Sequence, residues 1–194
     1  MPHTLTFLLA YLFYNDGVQT VIALASVFGA EELRLETSTL IQVILMVQFL
    51  AFVGAIAFGR LANWIGAKMS IVITLVVWSA VTIYAYRFLQ TELQFWLMAA
   101  VVAVVLGGSQ ALSRSLFSQM IPAGREAEFF SFYEISERGT SWIGFLVFGL
   151  ANQLFGGLRF GILSLIALFL IGLVILLRVD VQRAMQDANP TPTS

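Results

Sequence analysis

The chain has 194 residues, of which 59% are hydrophobic and only 11% charged, with a mean hydropathy of +0.90; a soluble domain is about one quarter charged. Ten basic and eleven acidic residues give a net charge of -1, and no basic run is present, which excludes a nucleic-acid partner. Cysteine is absent and the single histidine, His3, stands beside a terminus, which excludes disulfides, thiolate metal sites and most histidine chemistry, so no metal or cofactor is expected.

A bilayer core about 30 Å thick needs about 20 predominantly apolar residues per helix. Six such runs follow one another, and they predict an all-α, polytopic membrane protein with one six-helix bundle over residues 1–182. The expected spans are 5–28, 39–62, 69–86, 95–117, 129–154 and 160–177, separated by charged or Gly- and Pro-containing breaks. The remaining stretch, 183–194, with Pro190 and Pro192, reads as a disordered tail. An even number of spans puts both ends on one side. Arg60, Lys68, Arg114, Arg125, Arg178 and Arg183 fall in one set of loops, against Arg34, Arg87 and Arg159 in the other, so the positive-inside rule predicts cytoplasmic termini.

In the first span the run Tyr14-Asn15-Asp16-Gly17-Val18-Gln19-Thr20 falls near mid-membrane. Helical spacing sets Asn15 over Gln19 and Asp16 over Thr20. A mid-membrane carboxylate costs about 2.5 to 3.5 kcal/mol on insertion scales, so Asp16 needs a role: a solute pathway or proton relay, a cap on a local break, or a pair with a neighbouring Arg. The fourth span repeats the pattern, with Ser109 over Ser113 and Gln110 over Arg114. Asn15, Asp16, Gln19, Thr20, Ser109, Gln110 and Ser113 are the expected pathway residues. The first and fourth helices are corresponding members of two triplets, as in the 3+3 inverted repeats of transporters. Gly17 and Gly107-Gly108 either loosen these helices or serve as packing points.

The fifth span carries Glu134-Ile135-Ser136-Glu137-Arg138, which either faces protein or water inside the membrane or lies at the interface. A charge network of Asp16, Arg114, Glu134 and Arg138 is expected, with Arg138 as the partner of Asp16 on grounds of depth. Ala51, Ala55 and Gly59, and then Gly139, Gly144 and Gly149, mark faces for close helix packing. The sequence contains no Gly-x-Ser-x-Gly nucleophile motif and no Walker phosphate loop, so neither a hydrolase nor an autonomous ATP-driven pump is expected.

Between the second and third spans, Gly59-Arg60-Leu61-Ala62-Asn63-Trp64-Ile65-Gly66-Ala67-Lys68 resembles the Gly-x-Leu-Ala-[Asp/Asn]-x-x-Gly-x-[Lys/Arg] loop of the major facilitator superfamily. The loop residues Gly59, Arg60, Asn63, Gly66 and Lys68 would brace neighbouring helices in one access state, with Asn63 replacing the commoner Asp. Tyr11 to Thr20, Gly108 to Phe117, and Pro122 with Glu126 to Tyr133 narrow the likeness. Together they resemble the second six-helix half of the autophagy-related vacuolar amino-acid effluxers and their bacterial relatives. That resemblance departs at Arg138, where a Lys is usual, and at Gly144-Phe145, where the family has Gly-Pro.

The resemblance implies a facilitator-type secondary transporter half that moves a small solute such as an amino acid by alternating access. It also implies an integral protein of the lipid bilayer, in the inner membrane of a bacterium. A facilitator has two such bundles, so the partner would be an N-terminal six-helix half, covalent or separate, or a second copy in a homodimer. On this reading the chain is a fragment of a longer protein. The competing expectation is a non-transporting scaffold or truncated remnant.

Overall fold

In the computed structural model, residues 2–138 and 142–188 are described, with the Arg138 side chain excepted. The described residues are helical throughout, joined by short turns, with no strand. Helix α1 spans Pro2–Glu32 and opens on proline, whose missing N–H is an orphan in the first turn in any case. It ends where Arg34 takes a left-handed φ of 55°. Helix α2 (Thr37–Ile65) stops at Gly66, whose φ of 86° suits a residue without a Cβ, and α3 (Ala67–Arg87) starts directly after it. Thr91 and Gln94 form a capping box that starts α4 (Glu92–Ser118).

The expected span 129–154 is covered by α5 (Glu126–Arg138) and α6 (Trp142–Phe155), which flank residues 139–141 outside the described set. Helix α5 is too polar, and α6 too short, to cross a bilayer alone. The last span is α7 (Leu158–Ser164) and α8 (Ile166–Leu177), joined through Leu165. By length and composition, five segments can cross a membrane: α1, α2, α3, α4 and the combined stretch Leu158–Leu177.

Part of the expected tail is helical. Helix α9 (Val181–Ala188) buries Ala184 and Ala188, and residues 189–194 lie outside the described set. Its start is explained by Asp180, whose carboxylate accepts a hydrogen bond from the Arg183 N–H at 3.1 Å. That N–H, with the nearby Arg183 and His3 charges, holds the Asp180 carboxyl below its ordinary range.

Helix α1 lies along α8 and touches α5 and α6; α2 crosses α4; α3 fills the space between α4 and α8. Trp78 of α3 is fully buried and stacks on Phe169 of α8, with ring centroids 5.7 Å apart. The α2/α4 crossing is made by small residues: a Cβ on Gly54 would lie 2.6 Å from Val104 Cα, and one on Gly107 would lie 2.6 Å from the Ala51 carbonyl carbon. Gly107 and Gly108 sit in unbroken helix and are packing points, as is Gly17 against Phe169. Gly59 and Gly149 face open space, so neither makes the close contact their spacing suggests; Gly139 lies outside the described residues.

Each end of the bundle is fastened by a cation. At one end Lys68 Nζ donates to the carbonyls of Leu177 (2.9 Å) and Val179 (2.7 Å), closing the C-terminus of α8. The first turn of α1 and the start of α9 lie there too, since Thr4 Oγ1 donates to the Met120 carbonyl at 3.0 Å and the Asp180 N–H to His3 Nδ1 at 3.3 Å. At the other end Arg159 pairs with Glu32 at 3.0 Å and donates to the carbonyls of Ala85, Tyr86 and Leu89 at 3.2, 3.3 and 2.7 Å. One side chain thereby joins the ends of α1, α3 and α7.

Candidate functional site

The polar run of α1 divides by helical face. Tyr14, Asn15, Asp16 and Thr20 are buried, and Gln19 is half-buried. The Ser113 hydroxyl of α4 donates to the Ser109 carbonyl at 2.5 Å, so the Tyr14 hydroxyl, 2.6 Å away, is the donor to Ser113. Ser109 in turn donates to the Leu106 carbonyl at 3.1 Å. Thr20 donates back to the Asp16 carbonyl at 2.8 Å. These hydroxyls are satisfied within the bundle and hold α1 against α4.

Asn15 and Asp16 reach the fifth span. The Asn15 amide donates to the Glu137 carbonyl at 3.3 Å. Asp16, 2% exposed, accepts from the Gly144 N–H through Oδ2, while its Oδ1 has no hydrogen-bond partner among the described residues. The expected Asp16 partner, the Arg138 side chain, lies outside those residues. Gly144 permits the approach: a Cβ there would stand 2.9 Å from Thr20 Cβ and 3.1 Å from the Asp16 carbonyl oxygen.

A cavity of about 210 Å³ opens beside this contact, lined by Tyr11, Gln110, Ala111, Arg114, Tyr133 and Glu137. Arg114 and Glu137 approach to 3.8 Å at its edge, a long ion pair with side chains 61% and 26% exposed. The Arg114 guanidinium carbon lies 5.9 Å from the centroid of the Tyr133 ring, which stacks on Tyr11 at 4.3 Å and on Phe117 at 5.1 Å. The site thus presents one cation, one carboxylate and one amide against an aromatic wall. Such a wall supports a cation and supplies apolar contact.

Of the residues expected from sequence, Gln110 and Arg114 line this cavity; Asn15, Asp16, Thr20, Ser109 and Ser113 lie behind it between helices. Glu134 is exposed and is not part of the lining, and Arg114 is paired with Glu137. Sequence reasoning passed over Tyr11, Tyr133 and Glu137 as lining residues. A signal existed: Tyr133 and Glu137 are four residues apart, one helical turn, on the same face of α5. The loop residues Gly59, Asn63, Gly66 and Lys68 border a separate cavity of about 650 Å³ with Ser115 and Gln119, and Arg60 is exposed beside it. Among the described residues no cluster of metal-ligating side chains occurs.

The family described as "Vacuole effluxer Atg22 like" matches residues 1–189. The "Uncharacterized MFS-type transporter YxiO" of Bacillus subtilis is 40% identical over 170 residues, covering 88% of this chain and 39% of that protein. "Autophagy-related protein 22-1" of Aspergillus fumigatus is 30% identical over 201 residues, 95% of this chain and 32% of that protein. "Autophagy-related protein 22" of Cryptococcus neoformans var. neoformans is 26% identical, covering 97% and 36%. The chain therefore spans between a third and two fifths of the length of these curated relatives.

Proposed function

Because the chain belongs to the Atg22-like vacuole effluxer family, whose members are MFS-type transporters and not enzymes, we propose that it is one six-helix half of a secondary transporter that moves an amino acid by alternating access. The observation that carries the substrate is the cavity itself. An α-amino acid bears a carboxylate and an ammonium group a few ångströms apart, and Arg114 and Glu137 offer the matching charges in the opposite order. Charge-assisted hydrogen bonds of this kind are the strong ones. Tyr11 and Tyr133 supply an apolar wall for the side chain, and Gln110 a neutral donor and acceptor.

The path continues over the α1 face that carries the half-buried Gln19. Gln110 and Arg114 are exposed at the bundle surface, which favours a second bundle across the cavity, supplied by an N-terminal half or another copy. The end where the first turn of α1 meets the start of α9 carries Arg60, Lys68, Arg125, Arg178 and Arg183, and by the positive-inside rule this favours the cytoplasmic side of a bacterial inner membrane for it.

The test is binding of radiolabelled neutral amino acids to the protein in lipid nanodiscs, followed by flux in proteoliposomes. Arg114→Gln and Glu137→Gln are each expected to weaken binding at least tenfold, about 1.4 kcal/mol. The charge-reversed pair, Arg114→Glu with Glu137→Arg, should recover part of it. Unaltered binding in both single variants would remove this cavity from the solute path.

A further inference from the structure

The outward face of α4 changes character halfway along the helix. Leu93, Leu97 and Val101 are exposed in its first half, and all three are apolar. From Gln110 onward the exposed residues form two adjacent rows at four-residue spacing, Gln110-Arg114-Ser118 and Ala111-Ser115-Gln119, polar in every member except Ala111. Lipid chains cannot hydrogen-bond such a stripe, so it faces water or protein. The stripe runs about 13.5 Å along the helix at 1.5 Å per residue. A cavity lies at each end of it: the Arg114 pocket of about 210 Å³ and the loop cavity of about 650 Å³. Ala111 lines both of them.

We propose that Ala111 is the neck between these two cavities, and that its single methyl group sets the largest side chain an amino acid can carry from the Arg114 pocket to the Lys68 end of the bundle. Gln110 and Arg114 stand on the pocket side of it, Leu112 and Ser115 on the loop side. A solute leaving Arg114 meets Ser115 and Gln119 on the same helix, with Asn63 and Lys68 in the opposite wall, so neutral and cationic partners succeed one another along the stripe. Ala111 is exposed, and a larger side chain there enters the passage instead of the packed interior. Obstruction is therefore separable from misfolding, in contrast to Gly107, where an added Cβ meets the backbone of Ala51. The size limit deepens the solute-binding reading above and rests on it; the connection between the cavities does not.

The test compares a large and a small solute, radiolabelled phenylalanine and alanine, in proteoliposomes containing the full-length protein. Ala111→Phe is expected to lower phenylalanine flux about tenfold relative to alanine flux, the discrimination that a few extra carbons in a close-fitting site supply. Ala111→Leu, nearly as good a helix former as the parent residue, should shift the same ratio in the same direction by less. Leu97→Phe, on the apolar half of the same face, should leave the ratio at the parent value. In nanodiscs the phenylalanine dissociation constant of Ala111→Phe should rise by less than about threefold, because the obstruction lies beyond the pocket.

The neck is overturned if Ala111→Phe and Ala111→Leu lower both fluxes equally, as a merely structural defect would, or if binding of phenylalanine falls as far as its flux. The connection has a second readout that needs no amino acid. The chain has no native cysteine, so Glu137→Cys, across the pocket from Ala111, can be modified by a water-soluble methanethiosulfonate reagent added in oriented vesicles from the side that bears the Lys68 end. Ala111→Phe should slow that reaction severalfold and leave the modification of Ser115→Cys, on the loop side, at its own rate. An unchanged rate at Glu137→Cys overturns the neck. A parent protein that moves no amino acid while the thiol rates respond in this way would remove the substrate assignment and leave the neck standing.

Discussion

Gly107→Ala is expected to destabilise the bundle by about 3 kcal/mol, the upper end of the usual overpacking cost. The added Cβ would overlap the Ala51 carbonyl oxygen and lie 2.6 Å from its carbon and 3.0 Å from its Cα. These are backbone atoms, which cannot rotate away as a side chain can, so α2 and α4 would have to separate along their whole crossing. Gly54→Ala meets Val104 Cα at 2.6 Å in the same crossing and should behave alike. Gly59→Ala is the control, because nothing lies within 4 Å of that position; it should stabilise α2 by about 0.5 to 1 kcal/mol through backbone entropy alone. Unfolding in a graded detergent or denaturant series would rank the three variants. Equal behaviour of Gly107→Ala and Gly59→Ala would mean that the crossing is not as close as described.

The second large effect is expected at Arg159. Its guanidinium serves Glu32 and three carbonyls at the end of α3, with its side chain only 27% exposed. Arg159→Ala leaves a carboxylate and several carbonyls without donors, and breaking a largely buried pair costs about 3 kcal/mol or more. Arg159→Lys should recover only part of this, since an ammonium group cannot span the same fork of acceptors. Arg125→Ala, which removes an exposed, solvent-screened pair with Glu128, should leave stability close to that of the parent. A melting profile in which Arg159→Ala and Arg125→Ala coincide would refute this hierarchy.

Five apolar stretches were legible because a run of apolar residues long enough to cross a bilayer has few other uses, and Gly66 and Thr91 mark helix ends by local chemistry. Which faces meet was less legible. Spacing within α2 pointed to Ala51, Ala55 and Gly59, whereas the crossing uses Ala51 and Gly54, because the rotation of a helix is set by its partner. The pairing of Arg114 with Glu137 in place of Glu134 is similar: three residues along a helix turn a side chain by about 300°, and the sequence alone does not say which of the two faces inward. The contacts of Asn15 and Asp16 were hidden for a different reason. Their partners among the described residues are a carbonyl and an N–H, groups nearly every residue carries, so no side-chain pattern announces them.

The contact between Asp16 and Gly144 also has a consequence for biogenesis. Asp16 and Gly144 are 128 residues apart in sequence, and at about 5–20 residues per second the ribosome needs roughly 6 to 26 s to make the intervening chain. Throughout that interval α1 has been synthesised but its carboxylate has neither α6 nor α8 to lie against. Of the described helices, α1 is made first and is therefore among the last to complete its contacts. Its nascent form must be held at the insertion machinery, or against water, until the fifth helix pair arrives.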